Sequence, residues 1–177
     1  MNKEQFDEVF ELMEASFPDT EIRTCEGQRA LLAHSAYRLN VSRNESGEIL
    51  AFMGVWEFDA FRFVEHIAVN PKQRGGGIGK KLMTAYTSGS STPVILEVEP
   101  ANDTDSKRRI EFYERLGFHL NAFDYFQPPL REGQPELALQ IMSYPEPMSE
   151  EEFQPYKKVL MAEVYKQAEL QPPKPIS

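Results

Sequence analysis

Cysteine is almost missing from this chain of 177 residues: Cys25 stands alone, so no internal disulfide can form and no thiolate cluster can hold a metal. Histidine is nearly as scarce. His34, His66 and His119 show no clustering at metal-ligand spacing, so no metal is expected and none of the three is given a role. No run of eighteen apolar residues occurs, and the opening MNKEQFDEVFELMEASF mixes acids with apolar residues where a secretion signal needs a basic start and an apolar stretch. The expectation is a cytoplasmic protein with no membrane partner. Bases are outnumbered, 19 Lys and Arg against 28 Asp and Glu, for a net charge of −9. That balance repels phosphate backbones and anionic surfaces, which argues against nucleic-acid binding and favours neutral or cationic partners.

What is present suits a compact domain with a real core: 41% of the residues are hydrophobic and 27% charged. Apolar positions at helical spacing predict helices over 4–17, 26–34, 78–87, 107–116 and 149–167. The last of these opens on Ser149 followed by three glutamates, a capping signal, and carries Phe153, Tyr156, Leu160 and Val164 on one stripe. Alternating or continuous apolar runs predict strands over 37–43, 49–57, 61–69, 94–98, 119–126 and 137–143. A β-meander running into βαβ units makes an α/β (α+β) fold, a mixed central sheet with helices on both faces. The domain is expected to span 1–145, with 146–177 as a helical extension that caps the core or serves a homodimer, and with a frayed tail over 171–177.

One loop stands out. Between the strand ending at Asn70-Pro71 and the helix beginning at Ile78 lies Arg74-Gly75-Gly76-Gly77-Ile78-Gly79-Lys80. A strand, a glycine-rich loop and a helix N-terminus together aim several backbone amides at one point, which is an anion site. Spacing excludes two phosphate loops. A Walker loop would need a glycine five before Gly79 and a hydroxyl where Lys81 stands, and a GxGxxG fingerprint starting at Gly75 would need glycine where Lys80 stands.

The string fits Gln/Arg-x-x-Gly-x-Gly/Ala instead, at Arg74, Gly77 and Gly79, and closely resembles the acetyl-CoA pyrophosphate loop of the GCN5-related N-acetyltransferase (GNAT) superfamily. A second segment agrees: Leu96-Glu97-Val98 followed by Asn102 and then Tyr113-Glu114-Arg115-Leu116-Gly117-Phe118 resembles the family pattern downstream of that loop. The resemblance covers about residues 49–143 and is strongest to the ribosomal-protein N-terminal acetyltransferases. It implies acetyl-CoA as co-substrate, no metal, and transfer of an acetyl group to an amine. It also implies a donor site formed by Ile67, Ala68, Val69, Arg74, Gly75, Gly76, Gly77, Ile78, Gly79, Lys80, Asn102 and Tyr113, with Glu97 as base and Tyr113 as acid. Four additional residues, 103–106, separate Asn102 from the helix by comparison with that subgroup. The chain also starts at its first helix without the edge strand common in the family, and it adds the C-terminal helix.

The chemistry explains the residue types. A lysine-like amine has a reference pKa near 10.4, so presenting it neutral at pH 7 costs about 4.6 kcal/mol, which a carboxylate base offsets. Glu97 and Glu99 share one face of their strand, opposite Val94, Leu96 and Val98, so either suits that task. Glu65 is the third candidate, because many family members carry an acid there that faces the acceptor. Alternation along the strand puts His66 on the side opposite Glu65. A strand amide before Asn70-Pro71 suits the oxyanion, and the Tyr113 phenol suits the departing thiolate. Eight acids against three bases within residues 1–34 offer an acidic wall for a cationic acceptor. An acyl-CoA-binding module without turnover is the alternative.

Overall fold

The computed structural model describes residues 1–73 and 75–165. Arg74, the expected helix end at Gln167 and the tail over 171–177 lie outside the described residues. The helices are α1 (Lys3–Ser16), α2 (Cys25–Ala30), α3 (Ile78–Ser88), α4 (Thr104–Arg115) and α5 (Glu150–Val159). The strands are β1 (Tyr37–Arg43), β2 (Ile49–Glu57), β3 (Arg62–Val69), β4 (Val94–Val98), β5 (His119–Leu120), β6 (Tyr125–Gln127) and β7 (Leu137–Tyr144). They form one sheet in the order β1-β2-β3-β4-β7-β5, with β6 also paired to β7, and only β3 and β4 run parallel. This is the expected mixed sheet with helices on both faces.

Each face has its own apolar cluster. Met83 of α3 and Ile110 and Tyr113 of α4 pack on Met53, Val64, Leu96 and Met142. On the other face Phe6, Val9, Phe10 and Met13 of α1 cover Phe52 and Ala68, while Phe153 of α5 joins Trp56, Phe63, Ile95 and Ile141. Arg62, buried at the start of β3, donates to the carbonyls of Tyr86, Thr87, Ser90 and Thr92. It thereby satisfies orphan carbonyls at the end of α3 and fixes that helix to the sheet.

Several boundaries differ from the sequence pattern, each for an identifiable reason. The segment 26–34 is α2 followed by a 3-10 turn at Leu31–Ala33, closed by the His34 amide bonding the Leu31 carbonyl. Residues 103–106 do not separate Asn102 from a later helix; they are its start, because the Asp103 side chain accepts from the Ser106 amide and caps α4. The single strand expected over 119–126 is broken at Asn121. Its buried amide donates to the Ile141 carbonyl and the Ser143 hydroxyl, and its oxygen accepts from the Met148 amide. Those bonds bind the chain to β7 and the segment before α5, and pairing resumes only at Tyr125.

The C-terminal helix starts as the capping signal predicts, with reciprocal Ser149 and Glu152 bonds. Beyond Val159 it widens into a π-helical turn over Leu160–Tyr165. Phe153, Leu160, Val164 and Tyr165 are all buried and Tyr156 stacks on Phe61, so the stripe is used by the chain's own core. No helix among the described residues is long and apolar enough to cross a membrane. Leu160→Ala is expected to destabilise the protein by about 2–5 kcal/mol, whereas Lys158→Ala on the exposed side stays within about 0.5 kcal/mol. Urea unfolding of both variants measures the difference.

Candidate active site

The site begins with an irregularity in β3. Pairing with β2 passes from Gly54–His66 to Val55–Val64, which leaves Glu65 as an unpaired, bulged residue. A bulge bends its strand and re-aims side chains. Two consequences follow. First, Glu65 and His66 lie on the same side rather than on opposite ones: the Trp56 indole donates to Glu65 at 2.9 Å and Arg23 pairs with it at 3.0 Å, while His66 Nε2 donates to the Glu21 carbonyl at 2.7 Å. Second, β3 and β4 stay paired only through Arg62–Val94, Phe63–Ile95 and Val64–Leu96. Past that point β3 follows β2 and β4 follows β7, and a cleft of about 760 Å³ opens between them. That volume suits a bound small molecule.

One end of the cleft is built for an anion. The Asn70 side chain donates to the Ile49 carbonyl and accepts from the Lys72 amide, which pins the strand end and turns the chain into the loop. Gly75 and Gly77 have φ of +95° and +71°, the left-handed conformation that glycine adopts without strain. Gly77 is also the N-cap of α3 and supplies no side-chain cap, so the amides of the first turn are not capped by a side chain. Gly75, Gly77, Ile78, Gly79 and Lys80 line the cleft together with Ile67, Ala68 and Val69. At Gly79 an added Cβ would sit 3.4 Å from Val69 and 3.6 Å from Phe112. Those are ordinary van der Waals separations, so α3 packs against β3 and α4 here at normal contact distance.

Two predicted donor-site residues are not brought to the cleft wall. Gly76 lies in the loop but does not line the cavity, and Asn102 is exposed, its amide turned back to the Pro100 carbonyl. Arg108 and Arg109 of α4 do line it. Their signal in the sequence is the run Lys107-Arg108-Arg109 in an otherwise acidic chain.

The other end is acidic. Of the eight acids in residues 1–34 only Glu21 lines the cleft; Glu8, Asp7 and Asp19 face Arg43, Arg29 and Arg131 elsewhere. Glu21 faces Glu99 and Arg109; burial first and the Glu99 carboxylate second push its carboxyl up to about 7. Ser106, in the first turn of α4, donates to Glu99 at 3.2 Å. The long connection between β6 and β7 holds this end together. Gln127, Arg131 and Gln134 donate to carbonyls of Thr20, Ile22, Arg23 and Asp19.

Glu97 and Glu65 are both sheltered from water yet differ in charge environment. For Glu65, burial pushes the carboxyl up, but Arg23, His66 and the Trp56 indole outweigh it and hold the group below the usual carboxylate range. Glu97 has no cation paired with it among the described residues. Burial raises its carboxyl from an ordinary 4.5 to about 7, against the lowering effect of hydroxyls donated by Tyr125 and Tyr165. Tyr113 is at once core and cleft: its ring packs edge-on against Phe112 and Phe118, it lines the cavity, and burial raises its phenol to about 12. No group among the described residues is hydrogen-bonded to its hydroxyl.

Comparison with known proteins fits this geometry. A family model described as an acetyltransferase (GNAT) domain matches residues 34–120. The solved structure of a protein named as a GNAT-family acetyltransferase from Bacteroides thetaiotaomicron is 33% identical, covers 92% of each chain and superposes with a TM-score of 0.83. The chain belongs to the GNAT acetyltransferase family. Another relative, the protein named as acetyltransferase YjbC from Bacillus subtilis (strain 168), is 35% identical over 121 residues, which is 66% of this chain and 59% of that protein. The ribosomal-protein-S18-alanine N-acetyltransferase of Escherichia coli shares the GNAT fold at 21% identity, with a TM-score of 0.59 over 85% of this chain and 94% of that one. The fold is shared across these proteins, and a shared fold does not set what each of them acts on.

Two outcomes test these charges. Arg23→Met leaves Glu65 buried and unpaired and is expected to cost about 3–5 kcal/mol, most of it recovered when Glu65→Gln is added; thermal melts of the single and double variants read this. The second concerns Glu97, whose folded-state pKa lies above its unfolded one. The unfolded chain then releases its proton first, so stability from this group is lost as pH rises from about 4.5 to about 7. Glu97→Gln removes that loss, and its stability relative to the wild type is expected to rise by on the order of 2 kcal/mol between pH 5 and pH 8.

Proposed function

We propose that the protein transfers the acetyl group of acetyl-CoA directly to an amine, with Glu97 as base and Tyr113 as acid. The observation that carries this reading is the two-ended cleft: an uncapped, glycine-led helix N-terminus at one end and, at the other, a carboxyl whose affinity for protons is set near neutrality. The donor's pyrophosphate sits on the amides of residues 77–80, where the helix dipole adds about 0.3–1 kcal/mol, and Lys80 and Arg108 face its negative charge. The thioester lies along the unpaired edge of β3, where an amide of Ile67, Ala68 or Val69 donates to the oxyanion.

The acceptor enters past Glu21 and Glu99. An ammonium gives one proton to Glu97, directly or through water, and its nitrogen attacks the thioester carbon. The tetrahedral intermediate then collapses, the carbon–sulfur bond breaks, and the departing thiolate takes the phenolic proton of Tyr113. The second proton, released by the nitrogen as it becomes a neutral amide, returns through water to the Tyr113 phenolate. A base works best with a pKa near the operating pH, and Glu97 meets that condition while the Arg23-paired Glu65 does not. Glu65 is therefore read as a fixed part of the wall. The carboxylates at the mouth favour a cationic amine, and the single cysteine suits a reducing, cytoplasmic setting.

Thiol release from acetyl-CoA across a panel of cationic and neutral amines tests the proposal; tight CoA binding with no release for any of them would sink it. Glu97→Gln is expected to lower kcat/KM by about 10²–10⁴-fold and to remove an acid limb near pH 7, with CoA affinity within about twofold of the wild type. Tyr113→Phe lowers kcat, and full rate in that variant removes Tyr113 from the mechanism.

A further inference from the structure

The carboxylate of Glu97 is held from behind by two phenols supplied by separate elements. Tyr125 of β6 donates to Oε2, and Tyr165, the last residue of the π-helical turn, lies 2.6 Å from both oxygens. Neither tyrosine lines the cleft, whereas Glu97 does. Both also fall outside residues 34–120, the part matched by the family model.

Placement of Tyr165 depends on the helix widening. In a π-helical turn residues five apart align, so Leu160 and Tyr165 both point inward along with Val164, and all three are fully buried. The turn is locked from the other side. Arg23, which neutralises Glu65, donates through Nη2 to the Val164 carbonyl at 3.1 Å. Among the described residues, the groups facing Glu97 are the two phenols, the Arg23-paired Glu65 from β3 and Glu21 from the 3-10 turn Asp19–Glu21 before α2. Of these only the phenols hydrogen-bond to it.

We propose that Tyr165 is a positioning residue for the transfer reaction: with Tyr125 it clamps the Glu97 carboxylate toward the cleft and stabilises its ionised form, which makes the C-terminal helix part of the active site. The inference rests on the reading of Glu97 as base. A hydrogen bond donated to a carboxylate favours the charged form, so losing one donor raises the pH at which the base becomes competent. Tyr125 and Tyr165 stay protonated throughout, because burial and the neighbouring Glu97 hold both phenols well above their ordinary range.

Two readouts follow Glu97: the ¹³C titration of its side-chain carboxyl in the unliganded protein, and the acid limb of kcat/KM. Tyr165→Phe is expected to move both upward by about one pH unit, so that kcat/KM falls about tenfold at pH 6 but stays within about threefold at pH 9. A fluorinated tyrosine at position 165 keeps the ring and strengthens the donor; it should move both readouts downward, and it decides the matter if the phenylalanine variant does not fold. An unmoved carboxyl titration, or a loss of activity equal at all pH values, overturns the proposal. The carboxyl titration needs no turnover, so a wild type that never releases thiol would defeat the proposed function without affecting this measurement.

Discussion

The parting of β3 from β4 is the constraint on which the rest of this structure depends. Two parallel strands share only three residue pairs, and the bulge at Glu65 coincides with the point where they separate. Had the pairing continued, the backbone of β3 beyond Glu65 would bond to β4, leaving no cleft. The split leaves one lip of the cleft with β2 and the other with β7, so each is braced by a full antiparallel partner. A rigid opening of this kind presents backbone amides without an unfolded segment to order first, the condition under which fixed dipoles stabilise developing charge.

Around that opening the chain treats its buried carboxylates in opposite ways. Glu65 receives a guanidinium and an indole, which makes it a stable fixture of the wall. Among the described residues Glu97 receives only neutral hydroxyls, which satisfy its oxygens without supplying positive charge. The first arrangement favours stability and the second leaves a proton affinity near neutrality, as a base requires. Arg23 links the two, because one guanidinium holds both Glu65 and the carbonyl preceding Tyr165. The segment from Asp19 to Arg23 is in turn tied to the end of β6 and the β6–β7 connection by four side-chain bonds to its carbonyls. Elements distant in sequence therefore converge on one carboxyl.

Local signals predict the right element types almost throughout, since apolar period and capping residues act within a few positions. Val94–Val98 is matched to the residue, and the Ser149 cap falls where its spacing requires. Apart from the Leu31–Ala33 turn and the Asp103 cap, departures occur where a distant partner intervenes. Asn121 breaks a predicted strand because its side chain bonds across to Ile141 and Met148. The bulge that turns Glu65 and His66 to one side has no local signature, because strand alternation assumes regular pairing. The basic run Lys107–Arg109 was visible, but its face was set by the helix start at Asp103.

By itself the sequence determined the family and the glycine-led helix start at one end of the cleft. Glycine loops and helix N-termini bind anions through backbone atoms close together in the chain, so composition and spacing suffice to reveal them. Only the tertiary structure decided that the Glu65 carboxyl is held low while that of Glu97 is raised toward neutrality. That outcome is a difference between the surroundings of Glu65 and Glu97, created by Arg23, Trp56, Tyr125 and Tyr165, which lie up to 68 residues away in the chain from the group they touch. Burial and charge are properties of the assembled core, and no run of neighbouring residues encodes them.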